Sequence, residues 1–198
     1  MTILVDDAGW GSIIGGVLYG VCRVETGEFE YGEVPPQFFQ EPLFDTAQYQ
    51  AQGAAVVADL FERLAGPTDE PIRVCTGSCL AGIRQWLDAN EFGDWETAKI
   101  GEPLQTKIET ALQAYLRGFG FEIDLETLTT KQGLAFHKAV GWLHGGNAYS
   151  NPKSLPEREA VCKTGWSTFR AWADHLYPQA KSIAQQVKAR RYRERRAW

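Results

Sequence analysis

The chain has 198 residues, 44% hydrophobic and 23% charged, which supports one well-buried core and leaves little room for two independent domains. Its net charge of −5 hides an asymmetry: residues 1–180 hold 13 Lys and Arg against 24 Asp and Glu, whereas residues 181–198 hold seven against one. No apolar run reaches the roughly 18 residues of a membrane span, and the first residues lack the basic-then-apolar layout of a secretory signal; the expectation is a soluble, cytoplasmic protein without membrane contact.

In chain order, an apolar strand over Thr2 to Val5 delivers Asp6 and Asp7 to the turn Ala8-Gly9-Trp10-Gly11. Ile13 to Val24 and Glu28 to Val34 read as two further strands, joined at Glu25-Thr26-Gly27 and ended by Pro35-Pro36, so strands one to three form an antiparallel meander. From Thr46 to Leu64 Ala47, Ala51, Ala54, Ala58 and Phe61 recur at helical spacing. Ile72 to Cys75 is a short buried strand, followed by Thr76-Gly77-Ser78 and a helix from about Cys79 to Ala89. Leu104, Ile108, Ala111, Leu112 and Tyr115 define a helix over Leu104 to Leu116, and Phe121 to Leu125 is expected as the fifth strand. Thr129 to Asn151 gives no clear signal. Pro156 to Leu176 and Gln179 to Arg196 read as two terminal helices. The expected architecture is an α/β mixed five-stranded sheet, three antiparallel strands then parallel crossovers, with helices on both faces. Residues 1–150 form its domain and residues 151–198 a helical extension with a basic tail.

Adjacent acids at a strand end repel one another, and burying them is costly unless a cation compensates them. Hard divalent ions prefer such oxygen ligands. The same residues also suit ordinary turn chemistry, because Asp accepts local backbone bonds and Gly takes positive φ.

Asp6-Asp7-Ala8-Gly9-Trp10-Gly11 resembles the Asp-Glu-Ala-Gly-Arg-Gly signature of type 2 ribonuclease H, with Gly15 where that family opens its second strand. The resemblance covers about fifteen residues. It implies a ribonuclease H-like fold, Mg2+ or Mn2+ held by Asp6 and Asp7, and hydrolysis of RNA, an RNA–DNA hybrid or structured DNA. Two residues depart from the signature: Asp7 is one methylene shorter than the Glu, and Trp10 replaces an Arg that contacts the nucleic-acid backbone. A third departure is Thr76, which stands where the family ends its fourth strand in Asp. Glu102 and Glu109 are then the candidates for a further catalytic acid, with Asp124 and the amide Gln52 as outsiders. A first-turn acid favoured by the helix dipole is the plainer reading of Glu102, and a solvated helix face that of Glu109.

Lys107 and the terminal Arg190, Arg191, Arg193, Arg195 and Arg196, interleaved with Tyr192 and Trp198, suit phosphates and stacked bases. Docking of the tail on the acidic body is the competing use. His137 and His144 loosely resemble a late His-Lys segment of the same family, and packed surface histidines are their simpler reading. The four cysteines, Cys22, Cys75, Cys79 and Cys162, fit a reducing compartment. The Cys75–Cys79 spacing would hold zinc only with two more ligands, and Cys75 reads as core. The alternative to a nuclease is a catalytically degenerate module that binds nucleic acid or protein. The sequence leaves the oligomeric state open.

Overall fold

The computed structural model describes residues 1–64, 70–92, 94–145, 155–166 and 169. Five strands form one sheet in the order β3-β2-β1-β4-β5: β1 Ile3–Ala8, β2 Val17–Arg23, β3 Phe29–Val34, β4 Ile72–Cys75 and β5 Trp95–Ala98. The pairs β1–β2 and β2–β3 are antiparallel, whereas β1–β4 and β4–β5 are parallel. This is the mixed five-stranded sheet, three antiparallel strands followed by parallel ones, that the sequence led us to expect.

Two apolar layers cover the sheet. One face carries Ile3, Val5, Tyr19 and Val74 under α1 (Gln48–Arg63) and α2 (Ala81–Ala89). The other carries Leu4, Ala8, Leu18 and Cys22 under α3 (Leu104–Gly118), with α4 (Leu125–Thr130) and α5 (Gln132–Leu143) packed beyond it. The α3 stripe Leu104, Ile108, Leu112 and Leu116 is at most 4% exposed; its four-residue spacing keeps one side of the helix on the sheet. Gly20 brings that helix close, since a Cβ there would lie 2.8 Å from Ile108 Cδ1.

Three expectations are corrected. The first strand does not stop at Val5: its ladder runs on through Asp6↔Gly20, Asp7↔Tyr19 and Ala8↔Leu18, so both acids lie within the strand. The fifth strand is not Phe121 to Leu125. Asp124 there accepts from the Thr127 amide at 2.8 Å and caps α4, while Phe121 and Ile123 are buried beside α3; β5 is instead Trp95–Ala98, a four-residue edge strand too short to show a periodicity. The helix expected over Pro156 to Leu176 is interrupted after Glu159 and, beyond residue 166, is described only at Phe169, which is helical. α6 spans only Leu155–Glu159, because Cys162 bridges Ile14 and the Lys163 amide donates to Ile13 O at 2.9 Å. The helix expected over 179–196 lies outside the described residues.

Candidate site at the carboxyl edge of β1

Side chains alternate along a strand, so Asp6 and Asp7 leave β1 on opposite faces. Asp7 shares its face with Val5 and Tyr19, below α1 and α2. Asp6 shares the other with Leu4 and Ala8, below α3. As expected, the end of β4 meets them. A Cβ on Gly77 would lie 3.3 Å from Asp7 Oδ1, and the Cys75 and Cys79 thiols interact with Asp6 and Asp7 respectively. Arg84 holds this connection in place by donating to Cys75 O at 2.8 Å and Gly77 O at 3.1 Å. Thr76 itself is exposed.

Burial dominates the electrostatics of both acids. It raises the Asp6 carboxyl, against the pull of the Cys75 thiol and the Asp7 amide, which donates to Asp6 Oδ1 at 2.8 Å. It pushes Asp7 up to about 6; the nearby charge of Asp6 adds to the rise, while Cys79, Lys163 and the Trp10 amide oppose it. The Cys79 thiol, buried next to Asp7, is pushed far above its ordinary range.

The cation on the Asp7 side is Lys163. Its side chain is fully buried, and its Nζ donates to Gly9 O at 3.0 Å and Ser12 O at 2.7 Å and lies 5.5 Å from the Phe39 ring centre. Burial lowers it to about 7, while Cys162, Asp7, Cys79 and Glu33 act in the opposite sense. The turn it grips follows directly from β1: Gly9 adopts φ +99°, a region that L side chains rarely occupy, and the Ser12 amide donates to Gly9 O at 3.0 Å. Sequence reading missed Lys163. Its partners lie 154 and 151 positions away, and no local pattern around it signals a role.

The other candidates are scattered. Glu102 is exposed, accepts from the Thr106 hydroxyl at 2.6 Å, and lines a shallow cavity of about 250 Å³ with Thr2, Leu4 and Val24. That places it beside Thr2 and Leu4, toward the start of β1. Lys107 donates to Gly27 O at 3.1 Å and sits 5.7 Å over Phe29, at the β2–β3 turn and the same far end. Glu109 follows Ile108 in α3 and accepts from Gln105 at 3.2 Å; both Ile108 and Leu104 stand over Gly20, the partner of Asp6. Neither Glu102 nor Glu109 is among the groups that shift either carboxyl.

Trp10 is packed instead of presented, with ring centres 5.5 Å from Tyr49, 6.1 Å from Phe39 and 6.0 Å from Trp166. Gln52 is half-buried in α1 beside Gly53, which packs on Tyr19. His137 is half-buried in α5, and its Nδ1 has no hydrogen-bond partner among the described residues; His144 follows the end of that helix. Arg190, Arg191, Arg193, Arg195 and Arg196 lie outside the described residues.

The donors do not fit the two-metal centre that the sequence resemblance implies. Asp6 and Asp7 diverge across the sheet, Thr76 supplies no carboxylate, and neither Glu102 nor Glu109 is among the groups acting on either acid. Among the described residues no three His, Cys, Asp or Glu side chains converge as a metal-binding group. The four cysteines are free thiols. No helix among the described residues is long and apolar enough to cross a membrane.

No family model and no curated protein matches the chain. One solved structure it resembles is the catalytic core domain of BIV integrase, at 16% identity over 76% of this chain and 90% of that chain, with a TM-score of 0.36. That likeness is too slight to bear on function.

Proposed function

We propose that this protein is a ribonuclease H-like nucleic-acid-binding module whose acid pair no longer serves as a two-metal hydrolytic centre. The observation that carries this reading is the divergence of Asp6 and Asp7 onto opposite faces of β1, each engaged by a thiol from the β4 end. Support for nucleic acid comes from the sequence: the Asp6 to Gly11 resemblance and the arginine-rich tail. Such a tail attracts phosphates through a salt-dependent, sequence-independent term. RNA and RNA–DNA hybrids are the substrates to try first.

The test is binding and cleavage of a labelled RNA–DNA hybrid, a single-stranded RNA and a DNA junction, with Mg2+ or Mn2+ at several salt concentrations. Binding that weakens with salt, without cleavage, is the expected result. Metal-dependent cleavage abolished by Asp6→Asn would overturn it.

The rival reading, a metal-dependent phosphodiester hydrolase using Asp6, Asp7, Glu102 and Glu109, keeps one observation in its favour. Ile108, next to Glu109 in sequence, packs over Gly20, the ladder partner of Asp6, and under this reading a single-ion site draws on Asp6 and Glu109. Under that reading Glu109→Gln removes Mn2+-supported cleavage and Glu102→Gln leaves it intact.

A further inference from the structure

Residues 160–166 run across the β1–β2 connection. Lys163 N donates to Ile13 O at 2.9 Å, Gly15 N to Val161 O at 2.7 Å, and Gly165 N to Phe39 O at 2.9 Å. Gln40 Nε2 ties the same segment from another side, donating to Ala160 O at 3.0 Å and Cys162 O at 2.9 Å. Lys163 Nζ adds its bonds to Gly9 O and Ser12 O. The approach is close: a Cβ on Gly165 would lie 2.9 Å from Phe39 O and 2.8 Å from Phe44 Cβ. Yet the segment belongs to no strand of the sheet. Among the described residues its β-bridge to the connection is the isolated pair Ile14↔Cys162, and on its amino side Arg158 anchors it by donating to Leu143 O at 2.6 Å. A segment held by side-chain bonds and scattered backbone bonds, with no ladder behind it, opens locally at less cost than the sheet.

The contacts of this segment lead to the carboxyl edge of β1. Trp166 packs on Trp10 with ring centres 6.0 Å apart, and Lys163 Nζ lies 5.5 Å from the Phe39 ring centre. Trp10 and Phe39 belong to the same apolar layer as Cys79. Cys79 Sγ and Asp7 Oδ1 in turn flank Gly77, at 3.6 and 3.3 Å from where its Cβ would stand. We propose that residues 160–166 are a strap that gates the carboxyl edge of β1. Closed, it holds the connection 9–15 and Trp10 against the edge; open, it uncovers Asp7 and Cys79 while the sheet stays folded. Gating of this kind is independent of whether the edge binds nucleic acid.

Buried thiols supply the reporters. Cys162 lies in the strap, Cys79 near Asp7, and Cys22 on β2 opposite Leu4; all are free and at most 2% exposed. The test labels the full chain with N-ethylmaleimide under native conditions, without nucleic acid or metal, and follows each thiol by peptide mass spectrometry. Wild type is compared with Gln40→Ala, which removes the ties to Ala160 O and Cys162 O, and with Gly165→Ala, whose Cβ wedges against Phe39 O and Phe44. Each variant should speed labelling of Cys162 and Cys79 together by about tenfold or more and leave Cys22 at its wild-type rate, because only the strap has been loosened. A rise at Cys162 alone would show a strap that moves without gating the edge, and a rise at all of these thiols would show general loosening; either overturns the proposal. Unchanged rates throughout overturn it as well. Should Gly165→Ala fail to fold, Gln40→Ala and wild type in urea below its unfolding transition decide the matter: Cys162 and Cys79 must react together and before Cys22, and any other order overturns the gate.

Discussion

Asp7 and Asp124 show how differently two carboxyls of one chain respond to their surroundings. Burial raises Asp7 to about 6, against an ordinary value near 4 in an unfolded chain. Between those values the folded state holds more protons than the unfolded one, so stability should fall as pH rises through about 4 to 6 and then level off. Asp7→Asn should make that fall shallower in urea unfolding at pH 4.5 and 6.5; an unchanged slope would mean that Asp7 is not the buried acid responsible. Asp124 has the opposite sign. Its bonds from the Thr127 hydroxyl and amide, both 2.8 Å, hold it down at about 2. Its contribution is complete above about pH 4 and disappears as pH falls through about 2. Asp124→Ala should lower Tm at neutral pH, Asp124→Asn should keep most of the cap, and the difference between Asp124 and Ala should vanish near pH 2.

At the scale of elements, α3 is what ties the sheet to its second layer. Ile108 lies over Gly20 and Leu112 over Gly9, where a Cβ would come within 2.8 and 3.0 Å of their methyl groups. Truncating either side chain would leave a cavity that the surrounding strands cannot fill, so Leu112→Ala should cost about 2–5 kcal/mol. Denaturant unfolding would measure it, and a loss under about 1 kcal/mol would show the helix to be loosely seated. α3 also carries the acids that the sequence left undecided. Helical spacing reveals which side of α3 is apolar, yet it does not say at which end of β1 the helix begins. That end is the one where Glu102 lines a cavity with Thr2 and Leu4, and Lys107 donates to Gly27 O in the β2–β3 turn. The edge strand β5 was passed over for a similar reason: four residues, half of them exposed, leave no alternation to read.

The whole molecule joins an acidic body to a basic terminal segment, and association with nucleic acid tests what that segment is for. Deleting residues 188–198 removes six Lys and Arg charges. For every phosphate that the shortened chain no longer neutralises, the plot of log affinity against log salt should flatten by about 0.7 to 0.9. Identical slopes for full-length and truncated chains would assign the tail to the acidic body or to another partner.

The sequence by itself determined the sheet and most of its layers. Alternation and apolar runs mark β1 to β4, and helical spacing marks α1, α2 and α3, because burying one face of each element demands those periods wherever the element sits. The meeting of Asp7 with Gly77 at the strand ends was legible too, since parallel neighbours bring their carboxyl ends together. Only the tertiary structure decided how the acids are arranged there. Extending β1 by three residues turned a shared pair into two side chains on opposite faces, and that extension depends on the ladder with β2, not on local preference. Lys163 enters from a segment about 150 residues away to hold the Gly9 and Ser12 carbonyls just beyond Asp7. Such long-range pairings leave no trace in spacing, since chain distance and spatial distance are independent once the chain is folded.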